Sequence, residues 1–231
     1  DVPVLTRDLS TIHSRPPAAL QANEDTCFVG SYPLGEGFII PAVTAATWVA
    51  SSDTYRAIVF PYINGSELNS FPGPDPQGTR WVINFWDWPE DRARRHPLAY
   101  EHLRNTVVPL RSRQKEKHRR ERWWQHARPT PGLYCAIGRE EHFEQAHEAR
   151  PRLSQVVAKA KSSNTWEFAL LPNTMLFDQS LVVFAIGDHG RFGVVQSTLH
   201  DMWAWERGST LKVDLSYTPS TIFWTFPFPS D

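Results

Sequence analysis

The chain has 231 residues, 41% of them hydrophobic, with 10 Trp, 13 Phe, 19 Pro and a formal net charge of −1. That is enough chain to bury a sizeable core in one main unit, and its apolar and aromatic content excludes a disordered segment. A net charge near zero excludes a uniformly basic nucleic-acid or membrane binder, so any preference for a polyanion has to come from local clustering.

Residues 1 to 25 lack periodic apolar pattern and contain Arg15-Pro16-Pro17, as expected of a linker or edge segment. TCFVGSYPLGEGFII predicts two short strands around a tight turn at Gly35 and Gly37, since two glycines without a third make a poor nucleotide loop. AIVFPYINGSELNS predicts a strand ending near Pro61 with a turn at Asn64-Gly65, and RWVINFWDW a further aromatic strand. PEDRARRHPLAYEHLRNTVV then reads as helix, with Tyr100, Leu103, Val107 and Leu110 on one face. Pro109 interrupts it, and PLRSRQKEKHRRERWWQHA is expected to restart as a helix that runs to about His126. PRLSQVVAKA and WEFALLPNTMLF are strand candidates, the second turning at Pro172-Asn173, and SLVVFAI reads as a central strand covered on both faces. After Asp188 as N-cap, Phe192, Val195, Leu199, Met202 and Trp203 form a helical stripe ending near Gly208. The expected fold class is a mixed α/β (α+β) unit, sheet-based, with a basic helical insertion at about 89–127.

Cys27 and Cys135 are too few for a disulfide framework and lack Cys-x-x-Cys spacing, which points to a reduced, cytoplasmic protein. No apolar run reaches the roughly 20 residues of a membrane helix, so no membrane partner is expected. A processed secreted protein is the rival, supported by the single sequon Asn64-Gly65-Ser66. The start at Asp1 rather than Met suggests a piece cut from a longer polypeptide.

Enzyme signatures are nearly absent: there is no Gly-x-Ser-x-Gly, Walker A loop, His-Glu-x-x-His, or Asn-Pro-Pro-aromatic box. No catalytic, cofactor-binding or metal residue is assigned, and the chain is expected to be inactive alone. His142 and His147 are five apart, which turns them away from each other on a helix. Asp201 and Glu206, the carboxylates of a hypothetical stand-alone metal-dependent hydrolase, have the same spacing.

Between Arg104 and Arg122 eight Lys or Arg face only two Glu, a local charge of +6. On one helix Arg111, Lys115, His118 and Arg122 would share a side without Glu partners, and Arg119 lies beside them. A polyanion would relieve this repulsion, so Arg111, Lys115, Arg119 and Arg122 are the expected phosphate contacts; a merely solvated face is the alternative. Trp123 and Trp124 suit base stacking or, more simply, a core.

LKVDLSYTPS, residues 211–220, reads as a strand with Lys212, Asp214 and Ser216 on one face and Leu211, Val213 and Leu215 on the other. In the major groove a guanine offers the O6 and N7 acceptors and its cytosine the N4 amine, so a lysine and a carboxylate side by side match the two halves of one base pair. Lys212, Asp214 and Ser216 are therefore candidate base-reading residues; an exposed strand whose Lys and Asp pair with each other fits the same pattern.

GSYPLGEGFII, IVFPYINGSELNS, RWVINFWDWP, the Arg-rich run into WWQHA, NTMLFDQSLVVFAI, FGVVQSTLHDMWAW and GSTLKVDLSYTPSTIFWTFPFP, in that order, resemble the target recognition domain of MmeI-like type IIL restriction–modification enzymes and related adenine DNA methyltransferases. The resemblance spans about residues 26 to 229, leaving 1–25 and 138–152 unmatched. It implies a domain of 26–231 that selects a sequence on double-stranded DNA. The missing methyltransferase domain of the same polypeptide would bind S-adenosylmethionine and methylate adenine, sometimes beside a nuclease. It also implies that a Lys-x-Asp pair at Lys212 and Asp214 reads a base pair. The alternatives are a protein-interaction module of a phage-defence system and the small hydrolase above.

Overall fold

The computed structural model describes residues 17–70, 80–211 and 213–228, together with the backbone of 4–5 and 11–12; of Leu211 it describes the backbone. Within the first 25 residues β1 (Val4–Leu5) and β2 (Thr11–Ile12) pair antiparallel. β3 (Cys27–Val29) and β4 (Ile39–Pro41) flank the expected turn, where Gly35 sits at φ 141° and a Cβ on Gly37 would lie 2.2 Å from Thr106 Oγ1. α1 (Ala42–Ser51), β5 (Val59–Ile63), α2 (Gly65–Ser70) and β6 (Arg80–Ile83) follow. The Asn64-Gly65 turn is in fact a helix start. Asn64 Oδ1 accepts from Glu67 N (2.8 Å) and Glu67 Oε2 from Asn64 N (2.9 Å), a reciprocal capping box.

The helical insertion is more broken than the periodicity predicts: α3 (Glu90–Ala93), α4 (Pro97–Thr106), α5 (Val108–Arg111) and α6 (Lys117–Glu121). Tyr100, Leu103 and Val107 are buried as expected, but Leu110 is exposed. After α7 (Pro131–Ala136) come β7 (Gln155–Ala160), β8 (Ser162–Ser163), β9 (Ala169–Pro172), β10 (Leu176–Phe177) and β11 (Leu181–Phe184). Two helices replace the expected single stripe. Asp188 caps α8 (His189–Val195) by accepting from Arg191 N at 2.7 Å, and Ser197, in an extended conformation, starts α9 (Thr198–Arg207). This leaves Leu199 and Met202 exposed while Val195 is buried.

The sheets are ordered β10-β5-β6-β4 and β3-β11-β7-β9, with a three-stranded β12-β13-β8 formed by β12 (Ser209–Leu211) and β13 (Asp214–Ser216). β9 and β10 do not form a hairpin, because the turn at Asn173 carries the chain from one sheet to the other. Asn173 Nδ2 fixes it by donating to Ile137 O (2.8 Å) and Leu153 O (2.9 Å). β11 is central, as predicted, but antiparallel to both neighbours. Its residues alternate between two cores: Leu181 and Val183 join the large one beneath the other four-stranded sheet, whereas Val182 and Phe184 meet Leu215, Tyr217, Ile222 and Phe223 from the C-terminal segment.

Two buried histidines and a half-buried third make the fold acid-sensitive. Burial holds His126 and His200 down to about 4 and His142 to about 3. His126 is bonded to Ile83 O, His200 to Val195 O and Tyr217 Oη, and His142 is stacked on Trp86 at 4.5 Å. Released by unfolding, each returns to about 6.5, so the unfolded chain binds more protons between that pH and about 4. The histidine contribution to stability is therefore complete above about pH 6.5 and falls below it, by up to roughly 1.4 kcal/mol per pH unit for each histidine. The thermal midpoint is expected to drop steeply from pH 6.5 to 5; equal midpoints at pH 7 and 5 would contradict it.

Candidate functional site

The basic segment does not form the single cationic face that its spacing predicts. Arg111 is 1% exposed. Its Nε donates to Leu34 O (3.0 Å) and its Nη2 to Pro33 O (2.5 Å) and Gln125 O (3.1 Å), so it is not a phosphate contact but an internal tie. Leu34, at φ 55°, belongs to the same tight turn as Gly35, and the guanidinium thus joins that turn to the far end of the insertion. Bringing Gln125 round Arg111 requires the chain to fold back over 112–116, which is why the helix stops at Arg111. Burial lowers the Arg111 pKa to about 10, leaving it charged at neutral pH.

Arg119 is half-buried and paired with Glu116, while Lys117 pairs with Glu121 at 3.6 Å. Part of the expected repulsion is thus relieved inside the segment. Lys115 and Arg122 are exposed and make no ion pair among the described residues. Trp124 is buried, donating from Nε1 to Trp88 O at 2.9 Å, and Trp123 packs on Tyr100 at 5.1 Å; both belong to the core.

A second cluster forms around β12-β13-β8. The pairing Leu211↔Asp214 makes 211–214 a hairpin, so the continuous strand expected from Leu211 to Ser216 is not formed. Lys212 lies outside the described residues, and Val213 is exposed at the turn. Asp214 and Ser216 do share a face, and Leu215 points oppositely into the second core. Ser216 stands opposite Ser209 on one side and Ser162 on the other, a row of three hydroxyls across the sheet.

Beside Ser162 opens a cleft of about 260 Å³ lined by Gly65, Ser66, Asn69, Lys161, Ser162 and Ser180. Backbone bonds hold its walls together: Lys161 N donates to Ser180 O and Tyr217 N to Lys161 O, both at 2.7 Å, and Gly65 N donates to Ser180 Oγ at 2.9 Å. Lys161 is half-buried and has no ion pair among the described residues. The cleft thus presents an ammonium, an amide and several hydroxyls, and β13 next to it adds the Asp214 carboxylate, donors and acceptors mixed, as reading base edges requires. Lys161, Ser162, Asn69 and Ser180 carried no motif. The polar run Lys161-Ser162-Ser163-Asn164 directly after an apolar strand is the one local signal that could have marked them.

Among the described residues no group of three His, Cys, Asp or Glu is placed to hold a metal ion. His142 is stacked on Trp86, whereas His147 meets Phe143 edge-on. The acidic stretch after Gly138 is pinned down rather than loose: Asp87 accepts from Glu144 N (2.7 Å) and Gln145 N (3.0 Å), and Arg92 pairs with Glu144 while lying over Trp88. No helix among the described residues is long and apolar enough to cross a membrane.

The described fold is of the mixed α/β class, with its open polar sheet and basic segment on one sheet-based scaffold. No family model matches the sequence, and no curated protein does. Among solved structures the fold is similar to that of the type IIL restriction–modification enzyme MmeI in complex with DNA, with a TM-score of 0.62 and 14% sequence identity. The match covers 96% of this chain but 28% of that one, so the chain spans little more than a quarter of that enzyme's length.

The two kinds of arginine in the basic segment should separate experimentally. Arg111→Met strands the carbonyls of Pro33, Leu34 and Gln125 and is expected to lower the unfolding free energy by roughly 2–4 kcal/mol. Arg122→Ala, on an exposed side chain, should stay within about 0.5 kcal/mol of the parent. Urea denaturation measures both, and an Arg111→Met variant as stable as the parent would refute the tie.

Proposed function

We propose that this chain is the sequence-selecting unit of a larger restriction–modification or DNA methyltransferase polypeptide, and that it reads double-stranded DNA. The observation that carries the proposal is the polar cleft lined by Lys161, Ser162, Asn69 and Ser180, beside which Ser162 pairs with Ser216 of β13, the strand that turns Asp214 away from the core. The fold shared with a DNA-bound restriction–modification enzyme supports it, as does the ordered series of sequence segments.

In this reading Lys161 and Lys212 donate to guanine O6 or N7, Asp214 accepts from cytosine N4, and the serine row bonds base edges directly or through water. Lys115, Arg122 and, through its partly engaged guanidinium, Arg119 contact phosphates and set the register. Methyl transfer from S-adenosylmethionine to an extruded adenine belongs to other parts of the polypeptide.

Selection of bound duplexes from a randomised pool, with the 231-residue chain, tests this. Lys161→Ala and Asp214→Ala should each relax the preference at one position, a discrimination of about 1–3 kcal/mol, whereas Lys115→Ala should weaken all duplexes alike and reduce the salt slope by about one unit. Lys212→Glu combined with Asp214→Arg should invert one base pair that neither change inverts alone. Salt-independent binding, or a consensus untouched by Lys161→Ala, Asp214→Ala and the double variant, would defeat the proposal.

A further inference from the structure

A larger cleft of about 420 Å³ shares no lining residue with the polar one. Ala46 and Val49 of α1 and Phe60 and Trp81 of the neighbouring strands wall it, and Arg139 and Arg152 supply charge. Its size lies within the range of roughly 300–1,000 Å³ typical of small-molecule sites, and apolar walls with a few convergent polar groups are their usual composition.

Arg139 is the unusual member. It is 1% exposed and has no carboxylate partner among the described residues. Nη1 donates to Met175 O at 2.9 Å, but the buried Nε has no acceptor among the described residues. Its guanidinium carbon lies 4.8 Å from the centre of the Phe60 ring and 5.5 Å from those of Trp86 and Tyr134. These rings stabilise positive charge but do not take up five N–H donors.

Arg152 reaches the same cleft because Gly138, at φ 74°, lets the backbones approach: a Cβ there would sit 2.4 Å from Arg152 Cα. Arg152 pairs with Glu141 at 2.7 Å, the one carboxylate among the described residues that line the cleft, and Arg56, which also lines it, pairs with Asp53 at 3.0 Å, so Arg139 is the cleft's cation without a carboxylate. The cleft therefore carries surplus positive charge. A purely structural strut would account for the rings around Arg139, but not for the open apolar cleft and the further arginines beside it.

We infer that this cleft binds a small organic anion with a flat apolar body, its phosphate or carboxylate held by Arg139 and Arg152 and its ring against Trp81 and Phe60. Guanidinium forks match both kinds of anion, so a nucleoside monophosphate and an aromatic carboxylate share the required chemistry. The site needs no DNA, and its test is independent of the recognition function proposed above.

The test titrates the 231-residue chain, without DNA, with 5′-AMP, with indole-3-acetate and with uncharged adenosine, following amide and indole NMR signals. At least one anion should bind saturably with a Kd below about 1 mM, shifting the Trp81 indole signal, and adenosine should bind at least roughly tenfold more weakly. A preference for AMP identifies the phosphate arm, and one for indole-3-acetate the carboxylate arm. Arg152→Gln, on an exposed side chain, should weaken the anion by roughly tenfold, the size of one lost charge-assisted contact. Ala46→Trp, on the exposed rim, should block the cleft without unfolding the protein. No anion binding at millimolar concentration, adenosine binding as tightly as AMP, or binding that survives Ala46→Trp would each overturn the inference.

Discussion

The sheet β3-β11-β7-β9 is apolar on both faces, and the rest of the chain is arranged by the need to cover both. Every residue of β11 is fully buried, so water must be excluded from two sides of one strand. The larger core covers one side. The C-terminal segment covers the other with Leu215, Tyr217, Ile222 and Phe223. Because that segment docks where β7 runs out into Lys161-Ser162-Ser163, β13 pairs with β8, and residues more than fifty positions apart come to line one polar surface. Hydrophobic burial on one face of β13, through Leu215, is thus what turns Asp214 and Ser216 outward on the other.

Three cations are buried in this scaffold without a carboxylate partner among the described residues: Arg111, Arg139 and Lys159. Arg111 is satisfied by carbonyl oxygens, an arrangement that places a charge-assisted hydrogen bond at each strained or turning backbone segment it joins. Lys159 donates to Thr165 O at 2.7 Å and lies near the Trp166 and Phe168 rings, with burial lowering its pKa to about 8. Of the three, Arg139 is the one with a buried nitrogen that has no acceptor among the described residues, and it borders a cleft. A count of basic residues along the sequence gives these the same weight as the exposed Lys115 and Arg122, although their electrostatic roles are opposite.

Local patterns predicted much of the scaffold. The all-apolar Leu181–Phe184 read as a doubly covered strand, the tight turn at Gly35, the cap at Asp188 and the stop at Gly208 all depend on residues within a turn or two of one another. The sequence also revealed that Trp124 suits a core and that charge is concentrated between Arg104 and Arg122. These are properties of composition and short-range spacing, which the chain carries with it into any fold.

What the tertiary structure decided is which of those residues face outward. Helical spacing put Arg111 on a solvated face, but the carbonyls that capture it come from residues 33, 34 and 125, and no periodicity registers a hydrogen bond across 77 positions. Alternation read Leu211 to Ser216 as one strand, whereas antiparallel pairing of Leu211 with Asp214 makes a hairpin of it, because β13 held between β12 and β8 satisfies more backbone groups than one extended edge strand. Lys161, Ser162, Ser180 and Asn69 had no motif to betray them, since their proximity arises when three separate segments pack around the end of β7. The sequence by itself determined the mixed class, the doubly covered strand at Leu181–Phe184 and the cap at Asp188; only the packing of the two cores decided where the helices and strands break and which polar groups meet at one surface, because burial is settled by distant partners rather than by neighbours along the chain.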